Sequence, residues 1–230
     1  MEEHENGLPE RVELGLRRHP HEISPWRIFK IMAEFVMGFE FLKKYEKFPS
    51  VTFFGSARCS LDDSIYQEAT KLAKLLAQAG FTVITGGGPG IMEAANRGAT
   101  EAGGNSLGLN IKLPEEQAVN PYVKDGETFR YFFTRKVMLS FASELYIFFP
   151  GGFGTLDELT EIVTLVQTKK IRPVPVILVG HDFWQPFLDW IKTKLIATYH
   201  TIDEQDMNIY HLVDSADEAL ALAQQLLQRR

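Results

Sequence analysis

Apolar residues between positions 24 and 46 recur at helical spacing and occupy more than one side of the predicted helix. Ser24 supplies an N-cap and Pro25 stands at the first helical position, so the helix is placed at residues 24–46. The apolar positions are Ile28, Phe29, Ile31, Met32, Phe35, Val36, Phe39, Phe41 and Leu42. A helix that is apolar on several sides buries more than one face, and this periodicity fits packing within its own domain and contact with another subunit equally well. The polar residues 1–23 have no sustained period and are predicted to form an N-terminal arm.

After residue 50, short apolar runs alternate with amphipathic stretches. The predicted strands are SVTFFG, FTVITGGG, NSLGLNI, SELYIFF and PVPVILVG. The predicted helices are DSIYQEATKLAKLLAQAG, PGIMEAANRGATEAG, a short helix from Thr134 to about Phe141, a helix from near Thr155, DFWQPFLDWIKTKLI, and a final helix opened by the capping-box pattern of Ser215 and Glu218. The segment TFRYFF lies between the loop LPEEQAVNPYVKDGE and the short helix.

The alternation of strands and helices predicts an α/β fold, a Rossmann-like doubly wound parallel sheet with helices on both faces and an N-terminal helical extension. The sequence contains no internal repeat and no low-complexity linker. We therefore expect one Rossmann-like domain over residues 24–230, with the N-terminal helix as part of it.

Composition narrows the function classes. The 230 residues are 45% hydrophobic and 23% charged, which is ordinary for a globular domain with a proper core. A net charge of −6 disfavours a broad nucleic-acid-binding surface but allows a small anion site. Cys59 is the single cysteine and the six histidines lack metal-ligand spacing, so we expect no disulfide and no metal site. No window is long and apolar enough for a membrane span, and the N-terminus resembles no leader, so we expect a cytoplasmic protein that binds no membrane.

Three turns follow predicted strands at their carboxyl ends, where open parallel sheets bind their ligands. They are GSARC at 55–59, GGGPG at 86–90 and PGGFG at 150–154. The last two lead into helices, whose first turns present unpaired backbone N–H groups and the positive end of the helix dipole. Because glycine lets the backbone approach a phosphate closely, two such turns in one sheet favour anion binding over glycines that only form tight turns.

The spacing of these glycines differs from two familiar nucleotide motifs. The first turn reads GSARCS rather than the dinucleotide fingerprint G-x-G-x-x-G, and neither later cluster is followed by the lysine of a Walker loop. NAD and nucleoside triphosphates are therefore disfavoured. A smaller phosphate, such as a nucleoside monophosphate, fits the remaining pattern.

The stretches GGGPGIMEAANRGA, TRK and PGGFGTLDE together resemble the Lonely Guy (LOG) family, often labelled "possible lysine decarboxylase", over residues 51–184. The resemblance implies a Rossmann-like fold, a homodimer or larger homo-oligomer, and hydrolysis of AMP or cytokinin riboside 5′-monophosphates to free base and ribose 5-phosphate. A decarboxylase would need a pyridoxal phosphate lysine site, which these motifs do not supply, and we expect no cofactor. Many plant-type members carry GGG-x-x-G-x-M, whereas GGGPGIM is one residue shorter before Met92, which leaves the preferred base open.

Glu158 and Arg135 are the predicted catalytic residues. Thr155 and Glu158 also form a T-x-x-E pattern, in which Glu158 would simply cap the helix by accepting from the Thr155 N–H. The neighbouring glycine turn and the resemblance favour catalysis, since a carboxylate near C1′ stabilises an oxocarbenium-like charge or activates water. Arg135 resembles the family's catalytic arginine and would orient Glu158 or bind substrate oxygens; the alternative for Arg135 is an exposed ion pair.

The other predicted site residues form two groups around the cleft. The phosphate cradle consists of Gly151, Gly152, Gly154 and Thr155. Contacts to base or ribose are predicted for Gly87, Gly88, Gly90, Met92, Glu93, Lys136 and Ser56, with Arg58 as a weaker candidate. Met92 fits a place in the core equally well, and Lys136 fits a solvated position.

The sequence thus predicts a metal-independent hydrolase that cleaves the N-glycosidic bond of nucleoside 5′-monophosphates. The main alternative is a carrier of a phosphorylated cofactor or nucleotide with the same fold and no catalysis, similar to a molybdenum cofactor carrier. Two others are a nucleosidase of broader purine or pyrimidine specificity and an assembly protein built on the apolar N-terminal helix. A small-molecule monophosphate and a second copy of the chain are the expected partners.

Overall fold

A computed structural model describes residues 26–112 and 118–228 of the chain. Within these residues the strands are β1 (Ser50–Phe54), β2 (Thr82–Thr85), β3 (Ser106–Ile111), β4 (Asp125–Phe129), β5 (Leu145–Phe148), β6 (Val176–Val179) and β7 (Tyr210–Val213). The helices are α1 (Arg27–Lys43), α2 (Ser64–Gln78), α3 (Ile91–Glu101), α4 (Phe132–Phe141), α5 (Phe153–Gln167), α6 (His181–Trp190) and α7 (Ala216–Gln228). A π-helical turn, Ile191–Ile196, extends α6, and a 3₁₀ turn, Glu204–Asn208, precedes β7. The predicted arm at residues 1–23 and the cap at Ser24 and Pro25 lie outside the described residues.

All seven strands pair in parallel, in the order β4-β3-β2-β1-β5-β6-β7. The chain moves outward from β1 to β4, returns to place β5 beside β1, and then moves outward again to β7. Strand order therefore reverses between β1 and β5, which is where open parallel sheets bind their ligands. The predicted Rossmann-like, doubly wound fold is confirmed.

Both faces of the sheet are covered, and neighbouring residues of one strand enter opposite cores. Phe53 belongs to the core beneath α2, α3 and α7, whereas Phe54 belongs to the core beneath the other helices, which include α4, α5 and α6. All five residues of β1 and all four of β5 are consequently buried. This two-sided burial explains why the strands read as continuous apolar runs rather than alternating patterns.

Several elements differ from the sequence prediction. β4 begins at Asp125, inside the predicted loop, and α4 begins at Phe132, two residues before the predicted start. β7 was not predicted at all. It is an edge strand whose first three residues are only partly buried and include His211, so it lacks the apolar run that marked the central strands.

α1 packs inside the domain with one face and leaves another face exposed. Gly38 and Phe41 are buried, and Phe41 joins the core that contains Phe129 of β4 and Met138 of α4. The exposed apolar residues, called the α1 outer face below, are Trp26, Ile28, Phe29, Met32, Val36 and Phe39. Packing within the domain, one of the two predicted alternatives, is therefore present and accounts for only part of the apolar surface of α1. No helix among the described residues is long and apolar enough to cross a membrane.

Candidate active site

A cavity of about 670 Å³ opens at the carboxyl ends of β1 and β5, where the strand order reverses. This volume is typical of small-molecule sites, which span roughly 300–1,000 Å³. The lining residues are Phe54, Gly55, Ser56, Ala57, Arg58, Gly86, Gly88, Met92, Ile111, Phe132, Arg135, Gly152, Phe153, Gly154, Thr155 and Glu158. They come from all three predicted turns, from the end of β3, and from α3, α4 and α5.

Backbone contacts tie the three turns together. The N–H of Ser56 donates to the carbonyl oxygen of Pro150 at 2.9 Å, and the N–H of Ile91 donates to the carbonyl oxygen of Ser56 at 2.9 Å. Gly90, which precedes α3, has φ +68° and lies against the backbone of Ser56 and Ala57. A side chain at Gly90 would be strained by that φ and would also overlap the first turn, so glycine is required there.

The N-terminus of α5 forms one wall of the cavity. The helix begins at Phe153 with Gly152 as its N-cap, so the N–H groups of the first turn have no partner within the helix. Apart from adjacent residues and the backbone of α5 itself, no described heavy atom lies within 4 Å of the position where a Cβ would stand on Gly152 or on Gly154. The approach to these N–H groups is therefore open, and the positive end of the helix dipole lies at the cavity.

Glu158 lies one turn further along α5 and is buried, with 5% of its surface exposed. Its Oε2 has no hydrogen-bond partner among the described residues, and Glu158 lines the cavity. Thr155 is the third residue of the helix rather than its N-cap, because α5 begins two residues before the predicted start. The predicted capping alternative for Glu158 is therefore wrong.

Burial raises the pKa of Glu158 from 4.5 to about 7. The positive charges of Lys136 and Arg135 oppose this shift, whereas the negative charges of Glu161 and Asp157 add to it. The carboxyl group is thus poised to exchange a proton near neutral pH, as general acid–base catalysis requires.

Arg135 reaches the cavity from the first half of α4. Its Nε donates to the carbonyl oxygen of Leu109 at 2.7 Å, and its guanidinium lies so close to Gly86 that a side chain there would overlap it. Desolvation holds the pKa of Arg135 below its ordinary value, and Glu158 opposes that shift. No carboxylate among the described residues forms an ion pair with Arg135. The predicted alternative, an exposed ion pair, is therefore wrong, and the guanidinium has hydrogen-bond donors to spare for a ligand.

Lys136 lies in different surroundings from the adjacent Arg135. Its Nζ lies 2.7 Å from Oδ2 of Asp157 and 3.0 Å from Oε2 of Glu161, so it joins α4 to α5. Lys136 does not line the cavity. Its charge nevertheless acts on Glu158, which it favours in the ionised form.

The cavity brings together eight of the predicted site residues and leaves five outside its lining. The eight are Ser56, Gly88, Met92, Arg135, Gly152, Gly154, Thr155 and Glu158, and the five are Gly87, Gly90, Glu93, Lys136 and Gly151. Glu93 points toward α2, where its Oε1 accepts from the hydroxyl of Tyr66 at 3.4 Å. A side chain on Gly151 would overlap Thr155, so the close packing of this turn requires glycine at position 151.

The sequence did not indicate the apolar wall of the cavity. Phe54, Ile111, Phe132 and Phe153 line the cavity, and Phe153 is 93% exposed at the start of α5. Phe54 and Ile111 each stand at the last residue of a strand, and this position could have indicated that they lie at the ligand site. Gly86 was also missed: as the first glycine of GGGPG it leaves room for Arg135 and Met92.

A buried polar network holds the GGGPG turn in place. The N–H of Gly87 donates to Oγ1 of Thr85 at 2.9 Å, and Nδ2 of Asn120 donates to the carbonyl oxygen of Gly88 at 2.9 Å. Asn96 links the two, since its Oδ1 accepts from both Thr85 and Asn120. Within residues 26–112 and 118–228, no group of three or more His, Cys, Asp or Glu side chains is arranged to hold a metal ion.

Comparison with known proteins identifies the family. Residues 92–223, more than half of the chain, match the family described as "Possible lysine decarboxylase". The chain belongs to this family. Its curated relatives include the rice (Oryza sativa subsp. japonica) "Cytokinin riboside 5′-monophosphate phosphoribohydrolase LOG", which is 33% identical over 131 residues, or 55% of this chain and 53% of the relative. LOG5 of Arabidopsis thaliana, described as having the same activity, is 29% identical over 165 residues, covering 69% of this chain and 68% of the relative. The chain thus spans about half the length of the rice LOG protein that it matches.

Solved structures share the LOG-family fold. The structural-genomics crystal structure of TM1055 has a TM-score of 0.58 at 27% identity and covers 77% of this chain and 99% of that one. The molybdenum cofactor carrier protein of Chlamydomonas reinhardtii has a TM-score of 0.59 at 23% identity, covering 78% of this chain and 98% of that one. At that identity the likeness to the carrier extends to the fold alone.

Proposed function

We propose that this LOG-family chain hydrolyses the N-glycosidic bond of nucleoside 5′-monophosphates, AMP or a cytokinin riboside monophosphate, to free base and ribose 5-phosphate. The observation that carries the proposal is Glu158: a buried carboxyl group with an unpartnered oxygen, one helical turn inside an open helix N-terminus, in a cavity it shares with an arginine. The named activity of the rice and Arabidopsis relatives supports the same reaction.

The 5′-phosphate binds at the N-terminus of α5. The N–H groups of the first turn, the helix dipole and the hydroxyl of Thr155 supply donors and positive potential for an anion. Gly152 and Gly154 leave the approach open. The spacing of one helical turn between this anion site and Glu158 suits a substrate whose phosphate and C1′ are separated by a ribose ring.

Glu158 activates the attacking water and stabilises the developing positive charge at C1′. Cleavage passes through an oxocarbenium-like state, which an ionised carboxylate stabilises, and the same carboxylate accepts a proton from water. The pKa of about 7 means that a large fraction of Glu158 is ionised at neutral pH. Arg135 favours that ionised form and keeps free donors for ribose or phosphate oxygens.

The base lies against the apolar wall. Phe54, Met92, Ile111 and Phe132 offer flat or flexible apolar surface, which suits a purine ring and an apolar substituent on it.

The functional unit is a homo-oligomer. The α1 outer face is a contiguous helical stripe of large apolar side chains, and monomeric proteins seldom expose such patches. Phe132, Phe133 and Phe141 of α4, the helix packed beside α1, are also exposed. A second copy of the same chain would cover this surface.

A panel of related compounds tests the proposed reaction. Purified protein is incubated with AMP, isopentenyladenosine monophosphate, CMP, adenosine and ATP, and free base and ribose 5-phosphate are quantified by chromatography. We expect release from the purine monophosphates and none from adenosine, which lacks the phosphate. Release from adenosine at the same rate would contradict the phosphate site.

A further inference from the structure

Glu34 of α1 caps the beginning of α4, the helix that carries Arg135. Its carboxylate accepts from the N–H of Arg130 at 2.9 Å and from the N–H of Tyr131 at 3.3 Å, and from Oγ1 of Thr134 at 2.6 Å. Arg130 and Tyr131 immediately precede α4 and Thr134 is its third residue, so Glu34 binds both sides of the helix start, which has no side-chain cap of its own. A carboxylate at this position satisfies unpaired donors and complements the positive end of the helix dipole.

A second contact fixes α1 to α4 one turn further on. Gly38, four residues after Glu34, is buried and lies directly against Met138, four residues after Thr134. A side chain on Gly38 would overlap the sulfur of Met138 and approach the ring of Phe129 to 3.1 Å. The two helices are thus joined at two successive turns, and Arg135 lies between the two joints.

The guanidinium of Arg135 tolerates little movement of α4. It lies against Gly86 on one side and donates to the carbonyl oxygen of Leu109 on another. A shift of α4 away from the sheet therefore withdraws the guanidinium from the cavity or breaks the bond to Leu109. Misplacement of a catalytic group by about 1 Å is enough to cost on the order of 10²-fold in rate.

We infer that Glu34 is a positioning residue for the active site: by capping α4 from the N-terminal helix, it sets the place of Arg135 opposite Glu158. The inference rests on the proposed function for its effect on turnover. Its structural part, the coupling of α1 to the electrostatics of the cavity, does not depend on which reaction occurs there.

The charges around Glu158 predict the direction in which a displacement of α4 shifts the pKa of Glu158. Arg135 and Lys136 of α4 face Glu158 and lower its pKa, while Asp157 and Glu161 of α5 raise it. Withdrawal of α4 weakens the two positive contributions, so the pKa of Glu158 rises above about 7. Simple removal of the Glu34 charge would act in the opposite sense, because a lost negative charge lowers the pKa of another carboxyl group. The direction in which the pKa of Glu158 shifts therefore distinguishes a positioning role of Glu34 from the direct effect of its charge.

The test compares Glu34→Ala and Glu34→Gln with Glu40→Gln, a matched control on the same helix. Glu40 is exposed and forms no hydrogen bond or ion pair with any described residue. The full-length proteins are assayed for kcat and KM with AMP from pH 5 to pH 9. For Glu34→Ala we expect kcat to fall about 10- to 100-fold, with a smaller change in KM and an alkaline shift of the pH midpoint. Glu34→Gln, which keeps an acceptor oxygen, should lie between Glu34→Ala and wild type, and Glu40→Gln should match wild type.

A second readout does not need turnover. The titration of Glu158 is followed by the difference in melting temperature between each protein and its Glu158→Gln derivative as a function of pH. The midpoint of this difference should move to higher pH in Glu34→Ala and stay unchanged in Glu40→Gln. If the wild type releases no base but this midpoint still moves, the proposed function fails while the positioning role stands. An unmoved or acid-shifted midpoint in a folded Glu34→Ala protein would overturn the inference.

Discussion

Among single residues, Glu158 combines reactivity with a loss of stability, because the burial that raises its pKa also destabilises the folded protein when the carboxyl group is ionised. Its carboxyl group is buried with one unpartnered oxygen, and its pKa is raised from 4.5 to about 7. A raised pKa means that the folded state holds the proton more tightly than the unfolded state. The contribution of Glu158 to the stability of the folded state is therefore fully present below pH about 4.5 and is lost as the pH rises through about 7.

Replacing Glu158 with glutamine should therefore stabilise the protein at alkaline pH. The shift from 4.5 to about 7, at about 1.4 kcal/mol per unit, sets an upper limit of about 3 kcal/mol for the gain at pH 8. At pH 5 the gain should be less than about 1 kcal/mol, because the folded carboxyl group is then mostly protonated. Thermal or denaturant unfolding at the two pH values measures the difference.

Asp157→Asn is the matched control for this experiment. Asp157 is the adjacent acidic residue of α5, but its side chain is 50% exposed and pairs with Lys136. It should show no comparable gain at pH 8. A Glu158→Gln protein that is equally or less stable than wild type at pH 8 would mean that the carboxylate is well solvated or paired.

The role of Glu158 predicts how activity depends on pH. If the ionised carboxylate activates water, kcat/KM for AMP should rise about tenfold per pH unit below pH 7 and level off above it. The measurement is the initial rate at low substrate from pH 5 to pH 9. A decline above pH 7 would instead assign Glu158 as the acid that protonates the departing base.

The sequence predicted that Glu158, Thr155 and Arg135 lie in the cleft, but it did not predict what surrounds their side chains. The T-x-x-E pattern fits a cap or a catalytic group equally well, and only the start of α5 at Phe153 distinguishes the two. Arg135 was placed correctly in the cleft, whereas its packing on Gly86 depends on the approach of β2 and α4. Glu93 and Lys136, predicted to contact substrate, face α2 and α5 instead, because neighbouring helical residues point in different directions.

At the scale of elements, the N-terminus of α5 is the feature that distinguishes a phosphate site from a tight turn. Gly152 has φ −91°, and an added Cβ on Gly152 or Gly154 would meet no described atom within 4 Å other than adjacent residues and the backbone of α5. Alanine should therefore fit at both positions, and within the helix at Gly154 it should stabilise by roughly 0.5–1 kcal/mol.

We predict that Gly152→Ala and Gly154→Ala fold normally and bind monophosphates poorly. The added methyl group stands in the space through which a phosphate approaches the N–H groups. KM for AMP should rise at least about tenfold, by the loss of one or two charge-assisted hydrogen bonds of about 1.5–3 kcal/mol each. Melting temperature and inhibition by inorganic phosphate are measured in parallel. Unchanged KM and unchanged phosphate inhibition would place the anion elsewhere.

The central strands were predictable from the sequence, and the two edge strands were not. β1, β2, β5 and β6 are buried along their whole length and β3 over its first four residues, so they appear as apolar runs between turns. β4 and β7 are edge strands with a partly exposed face, and β4 even begins with Asp125-Gly126-Glu127, which is typical of a loop. Their strand character comes from pairing with β3 and β6, a non-local interaction that a short window does not reveal.

At the scale of the whole molecule, α1 has two roles that periodicity could not separate. Gly38, Phe41 and Glu34 attach it to its own domain, while the α1 outer face is exposed among the described residues. Deleting α1 would therefore damage the domain as well as any subunit contact. Point substitutions on the outer face give a cleaner test of the predicted homo-oligomer.

We predict that Met32→Glu combined with Val36→Glu reduces the oligomeric state without unfolding the domain. Both residues are more than half exposed, so charge is tolerated in the monomer and repelled in a shared apolar interface. Leu61→Glu, at an exposed apolar position between β1 and α2, is the control. Analytical ultracentrifugation should show wild type and Leu61→Glu as oligomers and the double variant as a smaller species. A monomeric wild type would show that the α1 outer face does not bind a second copy of the chain.

The most direct test of the central claim compares wild type and Glu158→Gln on AMP, with binding and turnover measured on the same preparations. Calorimetry gives the affinity, and chromatography gives the amounts of adenine and ribose 5-phosphate. We expect wild type to release the two products in equal amounts. Glu158→Gln should bind AMP with similar affinity but release base at least about 100-fold more slowly. Saturable binding of AMP by wild type with no release of base would rule out the proposed hydrolysis and indicate a carrier or sensor built on the same fold.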